Sequence, residues 1–151
     1  MLLPLIMNEI RTPETEQEWE AYYDLRYRIL RKPLHQPLGS EKNEGDVTGI
    51  HFAYFEGGSI IAIARLDYQE NQIAQIRFVA VESNLQAKGI GKTIMLELER
   101  RCIVDGKHKI ILHARDYAVD FYLKLDYVLV EKSYKLFDVL QHFLMEKTIN
   151  L

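Results

Sequence analysis

The sequence predicts a mixed α/β fold: one central sheet, mostly antiparallel but with one parallel pair of strands, flanked by helices. Two observations carry this. Gly57-Gly58 separates two apolar runs of strand length, and paired glycines supply the positive φ of a tight antiparallel hairpin. Further on, a strand pattern at Gln75 to Val81, a helical pattern at Ile90 to Val104 and a short apolar run at Lys109 to His113 follow in order. Strand, helix, strand makes a parallel pair crossed by a helix.

Each element follows from local pattern. Asn8 to Thr12 reads as a first strand, and Thr12-Pro13-Glu14-Thr15 as a turn into a helix with Trp19, Tyr22, Tyr23, Arg26, Tyr27 and Leu30 at helical spacing, ending near Pro33. From Pro33 to Thr48 the Pro, Gly, Ser, Asn and carboxylate residues show little period. A mobile loop or a broken helix is expected there, the best candidate for a lid, with Glu41 and Glu44 as solvated charges. His51 to Glu56 and Ser59 to Asp67 form the hairpin. In Gln75 to Val81, Ile76, Phe78 and Ala80 alternate with Arg77, Val79 and Val81, and both faces are largely apolar, so the strand is central. The helix from Ile90 turns Ile94, Leu98 and Cys102 inward and Glu97, Arg100 and Arg101 outward, and Gly106 stops it. Asp116 to Leu125 reads as a short helix with Val119, Tyr122 and Leu123 inward. Tyr127 to Tyr134 and Phe143 to Lys147 complete the sheet through a connection without a legible period.

Composition bounds the function. A chain of 151 residues, 48% hydrophobic and 27% charged, suits one packed domain spanning 1–151. The net charge of −3 and the scattered Lys and Arg residues give no basis for a nucleic-acid partner. No run approaches the roughly 18 apolar residues of a membrane helix, so no membrane partner is expected. The opening MLLPLIM lacks the basic flank of a signal peptide and reads as mature chain, with Met1 or Met7 as the start. The lone Cys102 cannot form an internal disulfide, which suits a reducing, cytoplasmic setting; on an inward helical stripe it reads as a buried, inert thiol. The five histidines show no HxxxH or HxH spacing, so no metal is expected. A monomer and a homodimer are both compatible with this composition.

The densest chemical signal is Gln86-Ala87-Lys88-Gly89-Ile90-Gly91-Lys92-Thr93, between a strand and an amphipathic helix. Glycines let backbone N–H groups approach a ligand, and a helix start adds free donors and about half a positive charge, which suits a pyrophosphate. Lys88 and Lys92 reinforce it. Glycines that merely turn the chain are the plainer alternative. Gly91-Lys92-Thr93 also resembles the end of a Walker A loop, but Gln86 stands where that motif requires Gly and no Walker B acid is evident, which disfavours a nucleotide-binding module.

Gln86, Gly89 and Gly91 fill the three fixed places of the GNAT acetyltransferase hallmark: Arg or Gln, two residues, Gly, one residue, then Gly or Ala. Upstream, Ile76-Arg77-Phe78-Val79-Ala80-Val81 resembles that family's bulged fourth strand. Downstream, Ala118 to Tyr127 resembles its "A..FYEKLGF" segment. Leu25 to Arg31, His51-Phe52, Ala64-Arg65-Leu66 and Leu112-His113-Ala114 are similar to the ElaA-like bacterial branch. The resemblance implies acetyl-CoA as co-substrate, direct attack of an unidentified primary amine on the thioester, pantetheine pairing along Val79, Ala80 and Val81, and pyrophosphate held at Gln86 to Lys92. It also implies that Tyr122 donates to the leaving thiolate, although an aromatic at helical spacing more often only packs. Asp126 replaces the usual Gly, Arg115 stands where relatives carry Asn or Gln, and Gln75 stands where one branch has a carboxylate base. The base is left among His51, His113 and His142, each with an ordinary pKa of about 6.5 and each more often structural than catalytic, with a water chain to bulk as the alternative. Absence of an evident base keeps open a noncatalytic acyl-CoA sensor.

Overall fold

The computed structural model describes residues 8–149; MLLPLIM, and with it the choice between Met1 and Met7, lies outside the described residues. In chain order the elements are β1 (Glu9–Arg11), α1 (Glu16–Leu30), β2 (Ile50–Glu56), β3 (Ser59–Tyr68), β4 (Ile73–Val81), α2 (Ile90–Val104), β5 (Lys109–Arg115), α3 (Val119–Leu123), β6 (Val128–Leu136) and β7 (Leu140–Thr148). The strands form a sheet of order β1-β2-β3-β4-β5-β7-β6. β4 and β5 pair in parallel, whereas β1–β2, β2–β3, β5–β7 and β6–β7 are antiparallel. The mixed sheet with its parallel fourth and fifth strands is the one expected. The described residues fall into two compact units, 8–66 with 78–98 and 67–77 with 99–149.

In the first unit, α1 starts where Thr15 caps it: its hydroxyl accepts from the Glu18 amide at 3.1 Å, and Glu18 accepts in return from the Thr15 amide at 3.4 Å. Arg11 grips the Glu18 carboxylate with two bonds of 2.9 Å and lowers its pKa to about 2. α1 buries Tyr22, Leu25 and Leu30 against Ala53, Phe55, Ile63 and Ala80. Gly57 and Gly58 both take positive φ, 57° and 86°, closing β2 on β3 with Glu56 opposite Ser59.

The segment after α1 takes the broken-helix alternative, with 3-10 turns at Lys32–Leu34 and Glu44–Asp46. Glu41 corrects the expectation of a solvated charge: it is 3% exposed, its carboxylate accepts from the Gly39 amide at 2.7 Å and its carbonyl accepts from Arg26 at 3.2 Å. Gly39, at φ 103°, reverses the chain and folds Glu41 back beneath it. Glu44 is exposed as expected.

In the second unit, Gly106 (φ 76°) ends α2 with bonds from the Gly106 amide to Ile103 O (3.1 Å) and from the Lys107 amide to Cys102 O (2.9 Å), a Schellman closure. Cys102 is fully buried and burial pushes its thiol up to about 12, which leaves it inert. The expected inward Leu123 is 44% exposed. α3 stops at that residue and the chain turns at Asp126 (φ 71°), so Leu125 and Tyr127 are buried beside Tyr122 instead. The illegible connection is a tight turn in which Phe137 and Asp138 both have positive φ, 52° and 58°.

Candidate active site

β4 hands over to the loop through Glu82, held by Arg28 of α1 at 2.7 and 3.0 Å. The Gln86 side chain donates back to Val81 O at 3.1 Å, which explains an amide at the hallmark's first place. Ala87 (φ 64°) and Gly89 (φ 83°) are left-handed. The first helical bond of α2 runs from the Thr93 amide to Gly89 O at 3.0 Å, doubled by the Thr93 hydroxyl at 2.9 Å. Among the described residues, the amides of Lys88, Gly89, Ile90, Gly91 and Lys92 therefore donate to nothing. Left-handed turns of this kind form backbone nests for anions, and the α2 dipole adds to the attraction. Gln86, Ala87, Lys88, Gly89 and Lys92 are exposed, with Ile90 and Gly91 half-buried behind them.

On β4, Phe78 has φ 58°, a conformation costing about 1–3 kcal/mol for a non-glycine residue. Its ring is held beneath the buried guanidiniums of Arg26 (4.2 Å) and Arg65 (4.9 Å), so the bulge is imposed by packing. Register pairs with β5 run from Ile73 with Lys109 to Ile76 with Leu112. Val79, Ala80 and Val81 follow the bulge.

In the second unit, Tyr122 is 8% exposed, its ring edge-on to Phe121 (5.0 Å) and Tyr127 (5.8 Å), and its hydroxyl has no hydrogen-bond partner among the described residues. Burial raises its pKa above the ordinary phenol value. Gln75 is occupied, its carbonyl accepting from Gln69 at 2.7 Å. Arg115 donates to the Tyr117 hydroxyl at 3.1 Å.

The three histidines differ in what their rings touch. His51 is 5% exposed with Nδ1 2.8 Å from the Tyr22 hydroxyl and Nε2 2.8 Å from Asp46 O. A carbonyl only accepts, so Nε2–H donates to it; burial, the largest cause, lowers the ring's pKa and so favours its neutral form. His142 is 4% exposed, bonded through Nδ1 to Leu140 O at 3.0 Å and stacked on Tyr134 at 4.5 Å. His113 is half-buried, with Nδ1 2.9 Å from Ser133 Oγ.

The family model described as an acetyltransferase (GNAT) domain matches residues 34–149. The chain belongs to the GNAT acetyltransferases. Two curated relatives come from Bacillus subtilis (strain 168): the uncharacterized N-acetyltransferase YitI, 24% identical over 95% of this chain and 97% of its own, and the uncharacterized N-acetyltransferase YjcF, 28% identical over 85% and 91%. The fold is shared with Escherichia coli ElaA (TM-score 0.80, 16% identity, 95% of this chain and 99% of that one) and with an aminoglycoside 6'-N-acetyltransferase complexed with coenzyme A (TM-score 0.80, 16% identity, 96% and 98%). This GNAT protein is an acyl-CoA-dependent N-acyltransferase, with acetyl-CoA as co-substrate. Among the described residues, no helix is long and apolar enough to cross a membrane, and no three His, Cys, Asp or Glu residues are grouped to hold a metal.

Two long-range contacts in this acetyltransferase escaped the sequence. Ser133 meets His113 only because β5 and β6 both flank β7, a relation that no local spacing carries. A buried trio joins α2 to the chain's last strand, with Glu99 accepting from the Tyr127 hydroxyl at 2.8 Å and from Lys147 at 3.1 Å. Glu99 lies beside the inward stripe that holds Cys102 and anchors Tyr127, the residue after the turn at Asp126.

Proposed function

We propose that the protein transfers an acetyl group from acetyl-CoA to a primary amine by direct attack in a ternary complex, with the pyrophosphate on the loop Gln86, Ala87, Lys88, Gly89, Ile90, Gly91 and Lys92. The run of five unpartnered amides entering α2 is the observation that carries this. Two neighbouring phosphates require several donors at once, and backbone amides provide them without paying side-chain entropy. Pantetheine then lies along Val79, Ala80 and Val81, where the bulge at Phe78 has taken β4 out of regular strand geometry. A free thiol at Cys102 suits the cytoplasm, where acetyl-CoA is available.

Tyr122 serves the leaving sulfur. A CoA thiol has an ordinary pKa near that of cysteine, about 8.5, and the Tyr122 phenol lies above its usual value. Complete proton transfer to the thiolate is therefore uphill, and Tyr122 acts as a hydrogen-bond donor as charge develops on sulfur. Much of the remaining rate comes from holding the amine against the carbonyl carbon, about 7–11 kcal/mol for well-aligned partners.

Calorimetric titration with acetyl-CoA beside a thiol-release assay across a panel of primary amines tests this. Tyr122→Phe keeps the ring and removes the hydroxyl, so kcat falls by about 10²–10³-fold with CoA affinity unchanged. An undiminished kcat in this variant removes Tyr122 from the chemistry, and a wild type that does not bind acetyl-CoA overturns the reading as a whole.

A further inference from the structure

We propose that His113 is the general base: its Nε2 takes the proton shed by the attacking amine, and Ser133 holds Nδ1. This rests on the acetyl-transfer reading above and names the group that reading leaves open.

The geometry separates the three histidines. Both ring nitrogens of His51 are engaged, by a phenol and a backbone carbonyl, inside a packed cluster with Trp19, Tyr22 and Tyr23. His142 is buried and pressed face to face on Tyr134. His113 alone is half-buried and has, among the described residues, no partner at Nε2. The Nδ1–Ser133 Oγ contact of 2.9 Å suits either tautomer; the assignment requires the one in which Oγ accepts from Nδ1–H and the lone pair sits on Nε2.

Its position in the strand is equally telling. Leu112 makes the last register pair of β5 with β4, opposite Ile76, and His113 is the next residue, level with Arg77 by the same offset. Ile110, Leu112 and Ala114 are buried, so His113 shares the opposite face of β5 with Ile111 and Arg115. The charged and titratable groups around it are Arg77 from β4, Arg115 from β5 itself, Tyr134 from β6 with its ring 5.2 Å away, and His142 from β7 behind Tyr134. Burial first and Arg77 second disfavour the imidazolium, so the ring is neutral and ready to accept at neutral pH.

In the step itself, the amine lone pair forms the C–N bond and the C–S bond breaks with its electron pair on sulfur. The proton lost by nitrogen passes to His113 Nε2, and an equivalent proton returns through solvent to the thiolate that Tyr122 has stabilised. No other reactant is required.

The test has two arms. Long-range ¹H–¹⁵N spectra of ¹⁵N-histidine-labelled protein, assigned with His113→Gln, should show the Nδ1–H tautomer for His113 and a titration below the ordinary imidazole value. Thiol release from acetyl-CoA, with water alone and with a panel of primary amines, should fall by about 10²-fold or more in His113→Gln and lose the acidic limb that the wild type shows. Ser133→Ala should lower the rate less and shift that limb. CoA affinity by calorimetry should stay unchanged in both variants, which shows that they are folded. An Nε2–H tautomer, or a His113→Gln variant that keeps the wild-type rate and limb, overturns the assignment. A wild type that binds acetyl-CoA yet releases no thiol to water or any amine overturns the parent reading, and the assignment with it.

Discussion

Two loops of similar composition, 35–49 and 82–92, are used in opposite ways. Both carry glycines and charged residues after a regular element. In 35–49 the inward polar groups are committed: Asp46 Oδ1 accepts from both Arg26 and Arg65 at 2.8 Å, Asn43 Oδ1 accepts from Arg65 at 2.7 Å, and Arg31 reaches Ser40 O at 3.1 Å. Arg26 and Arg65 are completely buried. In 82–92 the side chains are mostly exposed and the amides from Lys88 to Lys92 are uncommitted. The first loop spends its polarity on holding itself against α1 and β3, and the second keeps its donors for a ligand. Charge and glycine content alone do not tell such loops apart; the state of their backbone donors does.

The largest expected effect is on the committed loop. Asp46→Ala leaves two buried guanidiniums without their shared carboxylate, a loss on the scale of about 3–5 kcal/mol. Urea denaturation should show it as a fall in midpoint. A loss under about 1 kcal/mol would mean that the cluster is open to solvent and that the contrast between the loops is weaker than drawn. Gly45→Ala should act in the same direction, because the new Cβ would meet Arg65 Nη2 at 2.5 Å and its Cζ at 3.0 Å.

Gly89→Val should leave stability less affected and strike binding. A Cβ at Gly89 meets nothing within 4 Å, so the damage comes from φ 83°. Forcing a β-branched residue there costs about 1–3 kcal/mol, or the nest itself, and CoA affinity should drop roughly 10- to 100-fold. Lys88→Ala on the same loop should weaken CoA by only a few-fold, the scale of an exposed charge, about 0.2–1 kcal/mol. Calorimetry on the pair decides whether backbone or side chains hold the pyrophosphate; a larger effect from Lys88 would reverse that order.

The smallest effect is the pH response of the committed loop. Burial depresses His51 below its unfolded value of 6.5, so the unfolded chain binds more protons just below that pH. Its contribution to stability is complete above about pH 6.5 and is lost as pH falls from there toward the folded value. The surrounding groups are Tyr22, Arg26, Asp46 and Arg65. Asp46 does not confuse the window. Burial opposes its ionisation, but the Asn43 amide and the two guanidiniums outweigh burial and hold its pKa below the usual 3.8. Denaturation midpoints at pH 7.5 and 5.5 should differ in the wild type and differ less in His51→Gln.

The sequence by itself determined the features with short-range causes. Paired glycines set the β2–β3 turn, Thr15 and Glu18 set the start of α1, Gly106 ended α2, and Gln86, Gly89 and Gly91 marked the loop. Each rests on the φ range or hydrogen-bonding reach of residues a few places apart. Leu123 is exposed because α3 ends on it and the turn at Asp126 buries Leu125 and Tyr127 instead, and Glu41 is buried because a carboxylate's solvation depends on what folds over it. Only the tertiary structure decided that Ser133 reaches His113, and that Arg26 and Arg65 share one carboxylate while bracketing Phe78. Those relations join residues from 13 to 52 positions apart, and their physical content is burial and hydrogen-bond geometry, which exist only once distant parts of the chain lie side by side.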